Sequence, residues 1–148
     1  MELNTSHFGK LNINPANIIS FPVGLPGFPE QRRFVIIKRR QEMPIAWLQS
    51  VDDGNLTFAV ADPGDFITAY QPRFGQGDLV GLGLKSLDEA MLLAILVLSS
   101  DPYEITANLQ APVVINPVKK LGAQLILAEE WPLKYYLFGK GEKAAGAE

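Results

Sequence analysis

The chain has no cysteine. That absence removes disulfides, zinc–thiolate sites, iron–sulfur clusters and a cysteine nucleophile together. His7 is the only histidine, so neither a multi-histidine metal site nor two-histidine acid–base chemistry is available within one chain. Long apolar runs are missing as well. The longest, residues 90–98, has nine residues, whereas a membrane-spanning helix needs about 20. The N-terminus, Met1-Glu2-Leu3-Asn4, carries neither the basic nor the apolar region of a signal peptide. A cytoplasmic protein with no membrane association is expected. A basic surplus is also lacking. Thirteen Lys and Arg face 16 Asp and Glu, a formal charge of −3 with a pI near 5.2, which argues against direct nucleic-acid binding.

What is present describes one globular domain. The 148 residues are 47% apolar, enough for a packed core and too apolar for wholesale disorder. No linker or internal repeat divides the chain. The domain is expected over residues 1–138. The tail 139–148 (Gly-Lys-Gly-Glu-Lys-Ala-Ala-Gly-Ala-Glu) offers no apolar anchor beyond alanine and is expected to be flexible.

Glycine and proline are frequent, 13 and 11 residues, and they punctuate short β-type runs. Strands are expected over residues 7–13, 17–21, 33–38, 46–50, 57–62, 79–84, 91–98, 105–107, 113–115, 124–127 and 135–138. In Leu56-Thr57-Phe58-Ala59-Val60 the large apolar residues alternate, as a half-buried strand requires. Residues 92–98 are apolar throughout, which predicts a strand covered on both sides. Ser86 and Glu89 have capping-box spacing and predict a short helical turn. Asp52-Asp53-Gly54-Asn55 reads as a hairpin turn in which Gly or Asn supplies a positive φ. Gly81-Leu82-Gly83 is a fragment of a dinucleotide fingerprint without its third glycine, and reads as relief of a strand bend. The fold class is mainly β: a small closed or nearly closed antiparallel β-barrel-like domain with little helix.

Catalytic equipment is not apparent. No P-loop and no Gly-x-Ser-x-Gly elbow occurs, and the acid pairs Asp52/Asp53, Asp88/Glu89 and Glu129/Glu130 would point to opposite faces of a strand. No calcium-loop spacing exists. A hydrolase or sugar-binding domain would need a pocket with convergent polar groups, for which no motif speaks. Arg32-Arg33 and Lys38-Arg39-Arg40 read as a solvated basic face rather than an RNA site. Trp47 and Trp131 read as core or half-buried anchors.

Charge is spread unevenly. Residues 1–51 carry +3, residues 52–104 carry −7 and residues 105–148 carry +1. The nine acids of the middle segment either share a face that attracts a basic partner or are scattered turn residues.

The loops and strands together resemble the FliW family of flagellar assembly factors. The resemblance is carried by Phe21-Pro22-x-Gly24-x-Pro26-Gly27-Phe28, then Pro44-Ile45-x-Trp47-Leu48-Gln49-Ser50, then Phe58-x-Val60-x-Asp62-Pro63 with Tyr70. It continues through Thr106-x-Asn108-Leu109-x-Ala111-Pro112-x-Val114-Ile115-Asn116 and Gly122-x-Gln124. These stand in one order over residues 5–137. The resemblance implies a non-enzymatic protein, without cofactor or metal, that binds two partners in turn. One is the CsrA dimer, an RNA-binding translational regulator that represses flagellin synthesis; the other is flagellin itself. Export of flagellin frees the protein to bind CsrA and antagonise it allosterically, without copying RNA. The free protein is expected to be monomeric. A dedicated flagellin chaperone without a CsrA role is the alternative.

Contact residues are a separate question. Phe28, an aromatic on a loop, is a plausible interface anchor. Gln49, Asp62, Asn108 and Asn116 are the polar motif positions, suited either to contact or to satisfying turns. From charge rather than resemblance, Asp52, Asp53, Asp62, Asp65 and Asp78 are the acids expected to meet CsrA.

Overall fold

The structure is a computed structural model that describes residues 1–39 and 44–138. The tail expected over 139–148 lies outside the described residues, as does Arg40 of the basic run.

The strands are β1 (Glu2–Thr5), β2 (Gly9–Asn12), β3 (Ile19–Ser20), β4 (Arg33–Ile37), β5 (Ile45–Ser50) and β6 (Thr57–Ala61). They continue with β7 (Met91–Val97), β8 (Thr106–Ala107), β9 (Val113–Asn116), β10 (Leu121–Gln124) and β11 (Tyr135–Tyr136). Among the described residues one α-helix, α1 (Gln76–Gly81), interrupts them. Strands β7-β6-β5-β4-β3-β10-β9 form a closed ring, because β9 pairs back onto β7. Every pairing in the ring is antiparallel except β3 with β10, which is parallel. Closure removes the barrel's free edges. β8 and β11 extend the sheet from the second half of β7.

Alternation sorts the residues into an inner and two outer cores. Ala46, Leu48, Phe58, Val60, Leu93, Ile95, Val113 and Ile115 belong to the inner cluster with Phe21, Leu25 and Phe34. Their neighbours Trp47, Ala59, Ala61, Ala94 and Leu96 face outward and are covered by Phe66, Ile67, Tyr70, Trp131 and Leu137. Leu92, Val114 and Ala123 face outward elsewhere, under Leu79, Leu82 and Leu84. This is why β7 reads as apolar on both faces: one side fills the barrel and the other is roofed by loops.

The segment expected as a strand over 79–84 is instead the end of α1. Its Leu84 amide donates to Leu79 O at 2.8 Å and its Gly83 amide to Val80 O at 2.9 Å, with Gly83 at φ +71°. This is a Schellman C-cap with the expected Leu79/Leu84 contact. Gly-Leu-Gly-Leu alternates like a strand, but its glycine ends a helix. Gly54 is also corrected. Its φ is not positive; a Cβ there would overlap the Asn4 carbonyl oxygen of β1. The glycine admits the N-terminal hairpin rather than shaping the turn. That hairpin, β1–β2, replaces the single strand expected over 7–13. His7 lies in its turn, with its ring 4.3 Å from that of Trp47. The last shift is β10, which ends at Gln124, where the expected strand over 124–127 begins.

Candidate functional site

The ring has two different ends, and the register says which residues share one. β3 runs into Phe21 at the end where β5 turns into β6, since Ser20 pairs Arg33 and Phe34 pairs Ser50. The loop after β3 plugs this end. Phe21 and Leu25 are buried in the inner cluster, and Gly122 of β10 leaves room for the Phe21 ring, which a Cβ would meet at 2.7 Å. Leu25-Pro26-Gly27-Phe28 forms a tight turn, with the Phe28 amide donating to Leu25 O at 2.7 Å and Gly27 at φ +84°. That conformation at the third turn residue is the type II pattern, and Pro26 suits the second.

Phe28 therefore stands on a built loop. It packs edge-on to Phe58 at 5.6 Å and keeps 40% of its surface exposed. Gln49, Asp52 and Asp53 lie at the same end. Gln49 is fully buried; its amide donates to Ser50 O at 3.0 Å and reaches the Asp53 and Gly54 carbonyls, while its Oε1 has no partner among the described residues. Asp52 and Arg33 make a side-on pair, Nε–Oδ2 at 3.2 Å and Nη2–Oδ1 at 2.5 Å. The hydrogen bond from Arg33 holds the Asp52 carboxyl below its usual range. The Asp53 carboxylate accepts from the Asn55 amide at 2.9 Å.

Asp62 and Asp65 stand at the opposite end, across the five residues of β6. At roughly 3.3 Å per residue that is about 17 Å away. Asp62 caps the short 3₁₀ turn Pro63–Asp65, accepting from Gly64 N at 2.8 Å. Asp65 is exposed. Asp78 sits on α1, against the flank of the barrel, and accepts from Gly75 N at 3.2 Å. The structure thus divides the acids between both ends and a flank and gives them no common face. Glu89 and Asp101 also accept local amides. The Lys85 and Ser86 amides hold the Glu89 carboxyl below its usual range. Such bonds fix these carboxylates in place without neutralising them.

The two asparagines build loops. The segments β8 and β9 both run antiparallel along β7, yet Leu96 pairs Ala107 while Leu93 pairs Val113. Residues 108–112 therefore bulge against only two residues of β7. The side-chain carbonyl of Asn108 accepts the Gln110 and Ala111 amides at 3.0 and 3.1 Å and shapes this bulge. Asn116 is buried and ties the β9–β10 turn to the end of α1.

Gln110, an unassigned position inside the stretch Thr106 to Asn116, proves to be a hub. Its amide donates to Leu127 O and Glu129 O at 2.9 and 2.8 Å, and its Oε1 accepts the Trp131 amide at 3.0 Å. Tyr70 reinforces the same region, its hydroxyl donating to Leu109 O at 2.6 Å. Among the described residues the Trp131 indole N–H reaches no hydrogen bond of good geometry but lies close enough to Glu129 to lower that carboxyl, with the Arg73 amide adding to the effect. Only bonding across sequence gaps marks Gln110, so a single sequence carries no signal for it, whereas Trp131 is the half-buried anchor that the sequence predicts.

Among the described residues no group of three His, Asp or Glu could hold a metal ion, and no helix is long and apolar enough to cross a membrane.

Comparison with known proteins places these features in context. The family model described as FliW protein matches residues 2–137. The flagellar assembly factor FliW of Natranaerobius thermophilus is 36% identical over 150 residues, covering 99% of each chain. That of Leptospira interrogans is 36% identical over 131 residues, covering 88% of this chain and 87% of the relative. A crystal structure of the flagellar assembly factor FliW superposes with a TM-score of 0.86 at 33% identity, covering 93% of this chain and 96% of that one.

Proposed function

Since the chain belongs to the FliW family of flagellar assembly factors, we propose that it is a non-enzymatic cytoplasmic regulator that binds the CsrA dimer. Binding antagonises CsrA's repression of flagellin messenger RNA allosterically. Flagellin is the alternative partner, and its export frees the protein for CsrA. The free protein is a monomer.

Family membership over nearly the whole chain is the observation that carries this reading. Charge supports it. CsrA binds RNA and therefore offers basic surface, while residues 52–104 of this chain hold nine acids against two bases. A carboxylate held by a local amide, as Asp62 is, loses little freedom on meeting such a partner, and long-range attraction speeds encounter. Because the acids occupy both ends of β6, the contact with CsrA engages one set of them: Asp62 and Asp65, beside an end free of the Arg33 counter-charge. Phe28 and the plugging loop lie at the other end, which leaves a separate surface for flagellin.

Titration calorimetry against purified CsrA, repeated after saturation with flagellin, tests the reading. Heat of binding that disappears with flagellin bound is the expected result. Binding that survives flagellin would keep the antagonism and end the exclusive exchange. Flagellin binding with no CsrA binding would leave a dedicated chaperone.

A further inference from the structure

The loop after β3 plugs one end of the barrel, and among the described residues no loop residue at the other end joins the inner cluster. At that other end a cleft of about 160 Å³ opens between Ile19, Ile36, Met91, Ile115, Asn17 and Lys120. Ile19, Ile36 and Ile115 are inward-facing members of the inner cluster, so the floor of the cleft is the core itself. Met91 forms a lip with 39% of its surface exposed, and its unbranched thioether can adapt to what enters. Barrel mouths with apolar walls and a few polar groups are common ligand sites. The size suits a small apolar group: a cavity of about 150 Å³ engineered into another protein's core, lined by Leu, Ile and Phe, takes up benzene.

The polar rim is specific in sign. Lys120 is partly buried and has no ion pair among the described residues. Its backbone is held at φ +56°, and no other non-glycine residue among those described has a positive φ. Its amide donates to Asn116 O and its carbonyl accepts from Ser20 N, both at 2.9 Å. Glycine or asparagine adopts that conformation at lower cost than lysine. The chain nevertheless carries a lysine there, and that lysine lines the apolar cleft with no ion pair among the described residues. Asn17 adds an exposed amide on the same rim.

We propose that this mouth binds a small monocarboxylate whose tail is a branched aliphatic or benzyl-sized group. The tail sits against Ile19, Ile36, Met91 and Ile115, and the carboxylate pairs with Lys120. Charge complementarity selects the acid over a neutral molecule of the same shape. The cleft opens at the same end of the barrel as Asp62 and Asp65.

The probe is 4-methylpentanoate, followed through the Met91 methyl signal of protein carrying ¹³C-methyl methionine, assigned with Met91→Leu. Saturable movement of that signal is expected, with half-saturation at about 1 mM, a usual strength for so small a ligand. The uncharged amide of the same acid should bind at least about ten-fold more weakly, as loss of a charge-assisted hydrogen bond implies. Lys120→Gly, which suits φ +56° and so keeps the turn, should lose the same ten-fold, with an unchanged melting temperature showing that the fold is intact. N-acetyl-leucine tests whether the carboxylate of a polypeptide C-terminus serves equally; its binding would extend the class to that source. A Met91 signal that does not move, equal binding of acid and amide, or full binding by the Lys120→Gly protein would overturn the proposal.

Discussion

The Asn116 side-chain amide donates to the Leu82 carbonyl at 2.8 Å across 34 residues of sequence. Its Oδ1 accepts the Val118 and Lys119 amides at 3.1 Å each. One buried side chain thus closes the β9–β10 turn and pins the end of α1 to the barrel. Asn116→Ala leaves three backbone groups without partners, and each such loss costs about 1–3 kcal/mol. A fall in unfolding free energy of about 3 kcal/mol is expected in urea titrations, with Asn116→Asp intermediate because it keeps the acceptor. A loss below about 0.5 kcal/mol, the range of ordinary surface changes, would show that water replaces the clamp.

Gly24 and Gly27 flank the same plug but for different reasons. Both have positive φ, +67° and +84°. A Cβ on Gly24 would also meet Phe28 O at 2.5 Å and Pro29 backbone at 2.7 Å, whereas Gly27 has open space. Gly27→Ala should cost about 1 kcal/mol, the strain alone. Gly24→Ala should cost at least about 2 kcal/mol more, because rigid backbone must move. Denaturant titration of the two variants checks the order; equal costs would mean that the loop yields freely at Gly24.

How much of the fold is legible in the chain follows from which forces are local. Strands β4 to β7 and β9 show in the sequence because a barrel wall imposes alternation or full apolarity on each strand by itself. The chemistry of Leu25-Pro26-Gly27-Phe28 is likewise local, so the loop is visible as a loop. Gly81-Leu82-Gly83-Leu84 misleads because alternation is also what a Schellman cap leaves behind when Leu82 and Leu84 both pack inward. The roles of Gly54 and Gln110 are hidden, since each answers a neighbour distant in sequence, Asn4 and Glu129; for Asn116 the turn role is legible, but its bond to Leu82 is not. The division of the acids between the ends of β6 depends on register, and charge counting is blind to it. Asp52 and Asp62 are ten positions apart on paper and at opposite ends of a strand in space.

Asp65 isolates the electrostatic part of CsrA binding. Its side chain accepts no hydrogen bond among the described residues, unlike those of Asp52, Asp53 and Asp62. Asp65→Lys therefore changes charge without removing a cap. Association with CsrA should slow several-fold at low salt, and the difference should shrink as salt shortens the screening length to about 8–10 Å. Rapid-mixing kinetics at two salt concentrations make the check. Asp62→Lys should add to the effect but also cost about 1 kcal/mol of stability through its lost cap. Rates unchanged at both salts would end the role of this acidic end.

Tyr70 gives the protein an alkaline limit. Its hydroxyl donates to Leu109 O at 2.6 Å, and its ring stands edge-on to Trp131 at 4.7 Å. Burial, and next the Glu129 charge, push its pKa from 10.0 to about 12. In the unfolded chain the phenol ionises first, so between pH 10 and about 12 the folded state holds more protons and stability falls as pH rises. Below pH 10 the contribution is fully present. Tyr70→Phe should therefore be less stable than wild type near neutrality by about 1 kcal/mol, the usual worth of one hydrogen bond. The gap should close as pH passes from 10 to 12, because ionisation turns the donor into a buried anion facing a carbonyl. Denaturant titrations of both proteins across that window measure the gap directly. A gap that stays constant to pH 12 would mean that the Tyr70 phenol ionises alike in the folded and unfolded chains.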